Sequence, residues 1–582
     1  MVTAAGKFRH RVEVQDPVER ADANKALRVI WTTVAVRWAS VTPLSGSERT
    51  EGQHIKGTLT HEVRMRHFRG MSPRRRLVYR GRVLEIDSVH SEGEANTETV
   101  CMCKEATEAS ADMDQLDGGV LTLNPICGRP AETTALLRCV SPVEVEAYYT
   151  WGSTAQCLDG STTATVYRPF VSIDASVTGL SANTLYYWTF YYRRPDGADW
   201  TEASGSFYTT PTAGTSGYHM CLVADRHSWQ DYTTPTDADL ELDKHAMAAI
   251  AANSPRLIFD LGDTFHSECY TEWNAACERE SLRRHMLSMG RWGDNLSTAH
   301  YIQVLGNHEA EQGWRYSQHG EDLPAWARDA RQTIIPNPAA PDSVTSDFGG
   351  DADSDGQNCG VFEYGNVQFI WLDPYTYTTT QVHNKDGHEG SGDNWDWTLG
   401  VDQYAWLRGL MQTASTKWRI VLIHQIVGGH NTYGRGGIKV AKYSVDNAAS
   451  YEWGGEDDAG RDVFATKRPD FAAETPIHDL LVAGGVDVVF FGHDHVGVKE
   501  TLDGIIYHHI GKPNDSTYGE GFWSQGDYDE DNGTKIPNSH YVRLTQYGTS
   551  YLRIATIAVV RDGDSPSHGY ADGEVMNTYD VS

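Results

Sequence analysis

The chain lacks several features that mark exported, membrane-bound or nucleic-acid-binding proteins. Its first residues, MVTAAGK, do not form the apolar stretch of a signal peptide, and no segment reaches the roughly 18 apolar residues of a membrane span. Positive charge is scarce, because 49 Lys and Arg stand against 79 Asp and Glu. The net charge of −30 argues against a general nucleic-acid binder or a membrane-surface protein. We therefore expect no signal peptide, no membrane association and no general nucleic-acid binding.

Cysteine is missing from the arrangements that would give it a structural role. The chain has nine cysteines, an odd number, and no Cys-x-x-Cys motif. Cys269 and Cys277 would lie about 12 Å apart on a helix, too far for a disulfide without irregular backbone. We expect reduced thiols, as in a cytosolic protein.

Length and charge distribution indicate several domains. A chain of 582 residues is too long for one hydrophobic core, which predicts about two to four domains. Residues 1–105 carry 18 Lys and Arg against 13 Asp and Glu, whereas the remainder is strongly acidic. This asymmetry suggests parts with different partners.

The first hundred residues alternate apolar and polar side chains as β-strands do, for example over residues 8–14, 58–66 and 82–86. Gly and Pro between these runs predict a small β-barrel over residues 1–106. The pattern contains neither a metal-ligand cluster nor an activated nucleophile. The acidic stretch that follows is rich in small residues, so residues 107–119 are predicted to form a linker.

The order of four motifs in residues 1–106 resembles the phage head–tail joining, or head-closure, family. The motifs are GKFRHRVEVQ, WASVTPLSGSE, THEVRMRHFRGMSPRRRLVYRGRVLEIDSV and CMCKEA. The resemblance implies a barrel that self-associates into a ring and contacts portal and tail-completion proteins of a phage. It places the protein in the host cytoplasm, in the virion or in both. A generic barrel with an unrelated role is the alternative.

Residues 120–212 contain strand-like runs separated by turn signals, as a small β-sandwich requires. The sequence ASVTGLSANTLYYWTFYYRRPDG, followed by GSFYTTP, resembles the later strands of a fibronectin type III-like domain. The aromatic residues in 186–192 could offer a carbohydrate-binding face, but their alternation is more typical of a core and its covering layer. We interpret this domain as structural.

Five apolar runs in residues 213–562 each place Asp, Asn or His just past their carboxyl ends. The runs cover residues 220–224, 257–261, 302–305, 420–423 and 486–491, and helical patterns between them predict an α/β layered domain. The carboxyl ends of parallel strands meet at one edge of a sheet. One site is therefore predicted from Asp225, His227, Asp263, Asn307, His308, Glu309, His424, His493 and His495.

The residue types indicate the chemistry of this site. Asp, Asn and His suit divalent or trivalent Zn, Mn or Fe better than an ion that prefers thiolates. Asp263, in a Gly-Asp turn, is the natural carboxylate to bridge two ions about 3.5–4 Å apart, and a water between such ions becomes a hydroxide nucleophile. His308 is expected to stabilise or protonate the leaving oxygen, with Glu309 orienting it.

The motifs D-x-H, GD, GNH with a following acid, a lone His and GHxH occur here in the order of the calcineurin-like metallophosphoesterases, which residues 213–562 resemble. The resemblance implies a four-layer α/β domain with a β-sandwich core that hydrolyses phosphomonoesters or phosphodiesters. It implies a first metal on Asp225, His227, Asp263 and His495, and a second on Asp263, Asn307, His424 and His493.

Finer features concern the type of metal centre and the substrate. Motifs such as FFGHDHVGVKETLDGIIYH look like bacterial enzymes near alkaline phosphatase D. Purple acid phosphatases hold ferric iron with a tyrosine three residues after the bridging aspartate, where this chain has His266, so we do not expect a purple centre. Arg435 is either a clamp that binds substrate phosphate together with Asn307 or a flexible loop arginine.

Two further segments carry weaker predictions. Residues 351–356 have the carboxylate rhythm of a calcium loop, although Phe362 stands where such a loop has its twelfth-position Glu. A Ca²⁺ ion there is the minority interpretation. Residues 563–582 are predicted to be a C-terminal tail.

The whole chain has three interpretations. The first is a phosphoric ester hydrolase attached to a phage connector-like domain. The second is a structural head–tail connector whose phosphatase-like domain has a weak or idle site. All seven predicted ligands are present, which favours the first, since an idle site would be free to lose them. The third is a fusion of two adjacent reading frames.

A single continuous protein predicts peptides that cross the linker. Mass spectrometry of virions should detect peptides spanning residues 103–123. Detection of both halves without any spanning peptide would show that the single-chain interpretation is wrong.

Overall fold

The computed structural model describes residues 8–21, 27–44, 61–91, 97–105, 123–228, 237–265, 282–315, 323–344, 357–382, 393–427, 435–442 and 450–582, apart from a few positions inside these ranges. Within these ranges, no helix is long and apolar enough to cross a membrane. Their seven cysteines are free and buried. Cys269, Cys277, His266 and the predicted calcium loop at 351–356 lie outside the described residues.

The N-terminal part is a closed barrel with the strand order β1-β2-β3-β6-β5-β4. Alternate side chains such as Val12, Val14, Val63 and Met65 fill its interior, which is why the period-two pattern of the sequence predicts it. The strands are β1 (His10–Ala21), β2 (Leu27–Pro43), β3 (His61–Arg66), β4 (Arg76–Tyr79), β5 (Arg82–Ser91) and β6 (Glu98–Glu105).

The next eight strands form two groups around an aromatic core. One group has the order β10-β9-β13-β14, with β11 paired to β9, and the other has the order β12-β8-β7. Leu137 of the second group packs with Tyr149, Trp188 and Phe190 of the first. The strands are β7 (Ile126–Gly128), β8 (Thr134–Val140), β9 (Val145–Gly152), β10 (Gly160–Ser161), β11 (Thr165–Tyr167), β12 (Ser172–Thr178), β13 (Leu185–Arg193) and β14 (Thr201–Tyr208).

The rest of the chain is built on two facing sheets. The first has nine strands in the order β12-β8-β7-β17-β16-β15-β25-β26-β27, and the second has seven in the order β18-β19-β20-β21-β23-β22-β24. Their strands are β15 (Tyr218–Val223), β16 (Leu257–Asp260), β17 (His300–Gln303), β18 (Gly360–Tyr364), β19 (Val367–Leu372), β20 (Trp418–Ile423), β21 (Val486–Phe491), β22 (Gly497–Leu502), β23 (Ile505–His509), β24 (Thr534–Ile536), β25 (His540–Tyr547), β26 (Tyr551–Ala558) and β27 (Val575–Val581).

Helices cover the outer faces of both sheets. The described helices are α1 (Asp237–Ala252), α2 (Leu323–Ile334), α3 (Val401–Met411), α4 (Ile438–Ala441), α5 (Tyr451–Gly454), α6 (Phe464–Lys467) and α7 (Ile477–Ala483). An apolar core lies between the sheets and includes Met220, Phe259, Phe369 and Phe490. Separate cores lie between the first sheet and α1, and between the second sheet and α3 and α7.

The first sheet crosses the predicted boundary between residues 212 and 213. Strand β7 pairs in parallel with β17 through Cys127 and His300. The buried imidazole of His300 lies 2.9 Å from the carbonyl oxygen of Tyr208 and 3.3 Å from the sulfur of Cys127. Strands β7, β8 and β12 therefore belong to the same sheet as β15–β17, which a local sequence pattern cannot reveal because the paired residues lie far apart in the chain.

The C-terminal segment also differs from its prediction as a tail. Strand β27 pairs with β26 and forms the edge of the nine-stranded sheet. Val581 is buried between the sheets, and the hydroxyl of Tyr579 lies 2.9 Å from Nδ1 of His508. As an edge strand, β27 keeps Val575, Thr578 and Asp580 exposed, so its sequence is not typical of a buried strand.

One buried ion pair fixes α2 beside the loop that follows β17. Arg331 of α2 donates to both carboxylate oxygens of Glu311, at 2.6 and 2.9 Å, and both side chains are buried. Replacing Glu311 by Gln leaves a buried guanidinium without its counter-charge. We expect a loss of about 3 kcal/mol in the free energy of unfolding, measured by denaturant titration.

The matched control is Asp580→Asn, which weakens the exposed two-bond pair between Arg553 and Asp580 at 2.9 Å. This control should leave the free energy of unfolding nearly unchanged, because solvent screens the exposed pair. Equal losses in the two variants would contradict the assignment of Glu311 and Arg331 as a buried anchor.

Candidate metal centre

The predicted ligands follow β15, β16 and β17 in the first sheet and β20 and β21 in the second. Backbone hydrogen bonds join their loops: the N–H of His227 donates to the carbonyl of Asp263 at 2.9 Å, and that of Gly492 donates to the carbonyl of His424 at 2.9 Å. The sheets align so that all these strands end at the same edge. The structure thereby brings the seven predicted ligands together.

Asp225, His227 and His495 form the first group of candidate ligands. The Nε2 atoms of His227 and His495 lie 2.9 Å apart, and Oδ1 of Asp225 lies 3.6 Å from Nε2 of His495. Burial, reinforced by the charge of Lys512, lowers the pKa of His495 well below its usual value, so this imidazole is neutral. Donor atoms about 3 Å apart suit a shared ion with metal–nitrogen bonds of about 2.1 Å.

Asp263, His424 and His493 form a second group, and Asn307 lies among them. Nε2 of His424 is 3.2 Å from Oδ2 of Asp263 and 3.2 Å from Oδ1 of Asn307, while Nδ1 of His493 is 2.8 Å from the same amide oxygen. His424 Nδ1 donates to the carbonyl of Leu261 at 2.8 Å, since a carbonyl can only accept. Nε2 is therefore the atom of His424 that faces the site.

The charges in this group favour a cation. Burial opposes protonation of His424, but the neighbouring carboxylates of Asp263, Asp225 and Glu309 raise its pKa to about 10. The buried Nε2 of His493 has no hydrogen-bond partner among the described residues. Surroundings that stabilise a proton on a buried imidazole also stabilise a bound metal ion, because both carry positive charge.

Asp263 lies between the two groups. Its Oδ2 is 3.2 Å from Nε2 of His424, 3.8 Å from Nε2 of His227 and 3.8 Å from Nε2 of His308. Burial opposes its ionisation, but His424 and His308 outweigh burial and hold the pKa of Asp263 below its usual value. By contrast, burial raises the pKa of Asp225 to about 7. Asp263 thus offers the ionised carboxylate that a bridging ligand needs.

The ligand loops have strained backbones. Non-glycine residues with positive φ cost about 1–3 kcal/mol each and persist where the surroundings fix them. Gly306 is constrained by space instead, because a Cβ at this position would overlap Asp263. Five of the predicted ligands have positive φ: Asp225 at 55°, His227 at 45°, Asp263 at 54°, His493 at 80° and His495 at 52°.

Glu309 has a different contact pattern from the one expected. Its carboxylate accepts hydrogen bonds from the backbone N–H groups of Asp263 at 3.0 Å, Thr264 at 2.8 Å and Gly306 at 2.6 Å. Burial raises its pKa to about 8. Glu309 therefore braces the two turns that carry Asp263 and Asn307, in place of the predicted role of orienting His308.

Residues 222–497 match the calcineurin-like phosphoesterase family. This match contains all seven predicted ligands. Residues 3–106 match the family described as phage head completion protein. No curated protein sequence matches the chain.

The fold is similar to two solved phosphatase structures. A structure of PhoD is 14% identical, covers 76% of this chain and 87% of its own, and gives a TM-score of 0.50. The purple acid phosphatase PPD1 from yellow lupin (Lupinus luteus) seeds is 13% identical, covers 98% of this chain and 90% of its own, and gives a TM-score of 0.51. At these identities the likeness shows a shared fold.

His308 and Arg435 lie at the rim of the candidate metal centre. The ring of His308 is 5.1 Å from that of His227, and its side chain is 18% exposed. The guanidinium carbon of Arg435 lies 4.0 Å from the centre of the Phe522 ring, which is itself 5.0 Å from the ring of His495. Arg435 therefore reaches the same rim as His308.

Two residues after β23 also act on the ligand loops and are not among the predicted site residues. Asn514 donates to the backbone carbonyl of Arg226 at 2.7 Å and so holds the peptide between Asp225 and His227. Lys512 contributes positive charge that lowers the pKa of His495. Strand β23 runs parallel to β21, so polar residues past its carboxyl end obey the same rule as the other ligands. That rule could have found them.

The geometry predicts that metal ions stabilise the folded protein. Protein stripped with a chelator should gain melting temperature on addition of Zn²⁺ or Mn²⁺, because an ion at 1,000 times its Kd contributes about 4 kcal/mol. Asp263→Asn should show a much smaller gain and a lower metal content by elemental analysis. Asp580→Asn, which changes a residue of the edge strand β27, should show the same gain and the same metal content as the wild type. Equal gains for the wild type and Asp263→Asn would place the ions elsewhere.

Proposed function

We propose that this protein is a metal-dependent phosphoric ester hydrolase with a dinuclear centre, acting on a phosphomonoester or a phosphodiester. The observation that carries the proposal is the position of Asp263, whose Oδ2 faces both groups of predicted ligands. Asp225, His227, Asp263 and His495 would hold one ion. Asp263, Asn307, His424 and His493 would hold the other. The oxygen and nitrogen donors suit Zn, Mn or Fe.

Bound ions would supply an acidified water as nucleophile and neutralise charge on the phosphoryl group. The residues of the chain then divide the remaining work. His308, partly exposed at the open rim, would give a proton to the leaving oxygen. Arg435 offers a planar guanidinium that matches two phosphoryl oxygens. Asn307 orients its amide oxygen among the ligands while Glu309 keeps both turns fixed.

The middle strands serve this site as a scaffold in our proposal. A fibronectin type III-like sandwich over residues 120–212 would act as a structural spacer. The pairing of β7 with β17 supports that role, because it extends the sheet that carries Asp263 and Asn307. The spacer and the phosphoesterase centre would therefore move together.

The N-terminal barrel favours a second function. Residues 3–106 match phage head completion proteins, and residues 10–105 close into six strands. We infer that the barrel assembles into a ring in contact with portal and tail-completion proteins of a phage. It would carry the hydrolase into the virion from the host cytoplasm. In the alternative, the phosphoesterase region is an inactive decoration of that connector.

Hydrolysis assays separate these functions. Protein loaded with Zn²⁺ or Mn²⁺ should bind about two ions per chain and hydrolyse p-nitrophenyl phosphate or its bis ester. Asp263→Asn should abolish turnover together with metal binding. His308→Asn should lower kcat about 100- to 10,000-fold, because a proton donor is lost while the ligands remain.

The control for His308 is His245→Asn, which removes a partly exposed histidine of α1 that lies 3.0 Å from Asp572. This variant should keep full activity. Wild-type protein that neither binds two ions nor turns over either substrate would favour the connector. A His308→Asn variant with wild-type kcat would remove His308 from the mechanism while leaving the metal centre in place.

A further inference from the structure

Asp494 stands between the two histidines His493 and His495, yet its carboxylate contacts a different set of residues. Oδ2 accepts hydrogen bonds from the hydroxyl of Tyr528 at 2.5 Å and from the backbone N–H of Gly436 at 2.9 Å. Oδ1 lies 3.6 Å from Nε of Arg435. The carboxylate is only 3% exposed, so it is buried beside the arginine at the rim.

Arg435 is held on two sides. Its guanidinium carbon lies 4.0 Å from the centre of the Phe522 ring, and its Nε faces Asp494. The backbone N–H of Phe522 donates to the carbonyl of Asp494 at 3.1 Å, so Asp494 contacts both the arginine and the residue that stacks on it. Since a free arginine samples many rotamers, these contacts restrict where the guanidinium can lie.

A second buried carboxylate anchors the same loop. Glu500 accepts hydrogen bonds from the backbone N–H of Ile438 at 3.1 Å and from that of Asp529 at 2.6 Å, and it is almost fully buried. The backbone just after Arg435 is therefore fixed by Glu500 and Asp494 together. With this backbone fixed, the position of the guanidinium depends on the side-chain conformation of Arg435. The carboxylate of Asp494 lies beside that side chain.

We propose that Asp494 is a positioning residue that holds the guanidinium of Arg435 against Phe522, at the edge of the metal centre, where it binds a phosphoryl oxygen of the substrate. The inference rests on the proposed phosphoesterase function. An Asn at position 494 could still accept hydrogen bonds from Tyr528 and Gly436, but it would not attract the guanidinium. Asp494→Asn therefore isolates the interaction with Arg435 from the packing of the loop.

The test is a double-mutant cycle with Asp494→Asn, Arg435→Met and the double variant in the metal-loaded full chain. Each single variant should raise KM for p-nitrophenyl phosphate and the inhibition constant of inorganic phosphate about tenfold, with a smaller change in kcat. The double variant should resemble Arg435→Met alone, because Asp494 acts through Arg435. Metal content should stay at the wild-type value in all three.

Three outcomes would overturn the inference. Multiplicative effects in the double variant would show that Asp494 acts independently of Arg435, with hydrolysis by the wild type still standing. Loss of metal from Asp494→Asn would show that Asp494 supports the ligand loop instead. An inactive wild type would contradict the proposed function and this inference together.

A second arm does not depend on the folding of Asp494→Asn. Phe522→Leu removes the ring on which Arg435 stacks but leaves Asp494 in place. It should raise KM in the wild-type background and have little effect when combined with Arg435→Met. An equal effect of Phe522→Leu in both backgrounds would also contradict the positioning of Arg435.

Discussion

Two carboxylates and four imidazoles buried at one edge of the molecule impose the constraint on which the rest of the structure depends. In each group the ligand atoms lie within 4.8 Å of one another, and Oδ2 of Asp263 faces both groups. A cation between such closely spaced oxygen and nitrogen donors would neutralise the buried carboxylates. Five of the predicted ligands have positive φ, a conformation that costs about 1–3 kcal/mol each and persists where the surrounding structure fixes the backbone.

Contacts between the two sheets hold these strained loops in place. His424 belongs to the second sheet and donates across the interface to the carbonyl of Leu261 in the first. Glu309 ties the turns after β16 and β17 together through three backbone N–H groups. The apolar core between the sheets, which includes Phe259 and Phe490, fixes their alignment. A change in packing at either residue would therefore change the distance between the two groups of predicted ligands.

Local patterns predicted the parts of this protein that depend on local order. Apolar runs ending in Asp, Asn or His indicated seven candidate ligands that the structure places close together, because strand type and the position after the strand end are both local properties. Glu309 shows the limit of such local patterns. It is adjacent to His308 in the sequence, but in the folded protein its buried carboxylate accepts hydrogen bonds from backbone N–H groups. Phe522 and Asp494 were missed as partners of Arg435 because only the tertiary fold brings them together. The role of β27 was missed for the same reason.

The pairing of β7 with β17 changes where the functional unit begins. A boundary at residue 212 would strip three strands from the nine-stranded sheet and uncover β17, which leads directly to Asn307. His300 would lose its contact with the carbonyl of Tyr208 and its place beside Cys127. The natural division therefore lies between the barrel, which closes on itself by residue 105, and the strands from β7 onward. Under the proposed function, the hydrolase therefore begins at β7 and includes strands that precede residue 213.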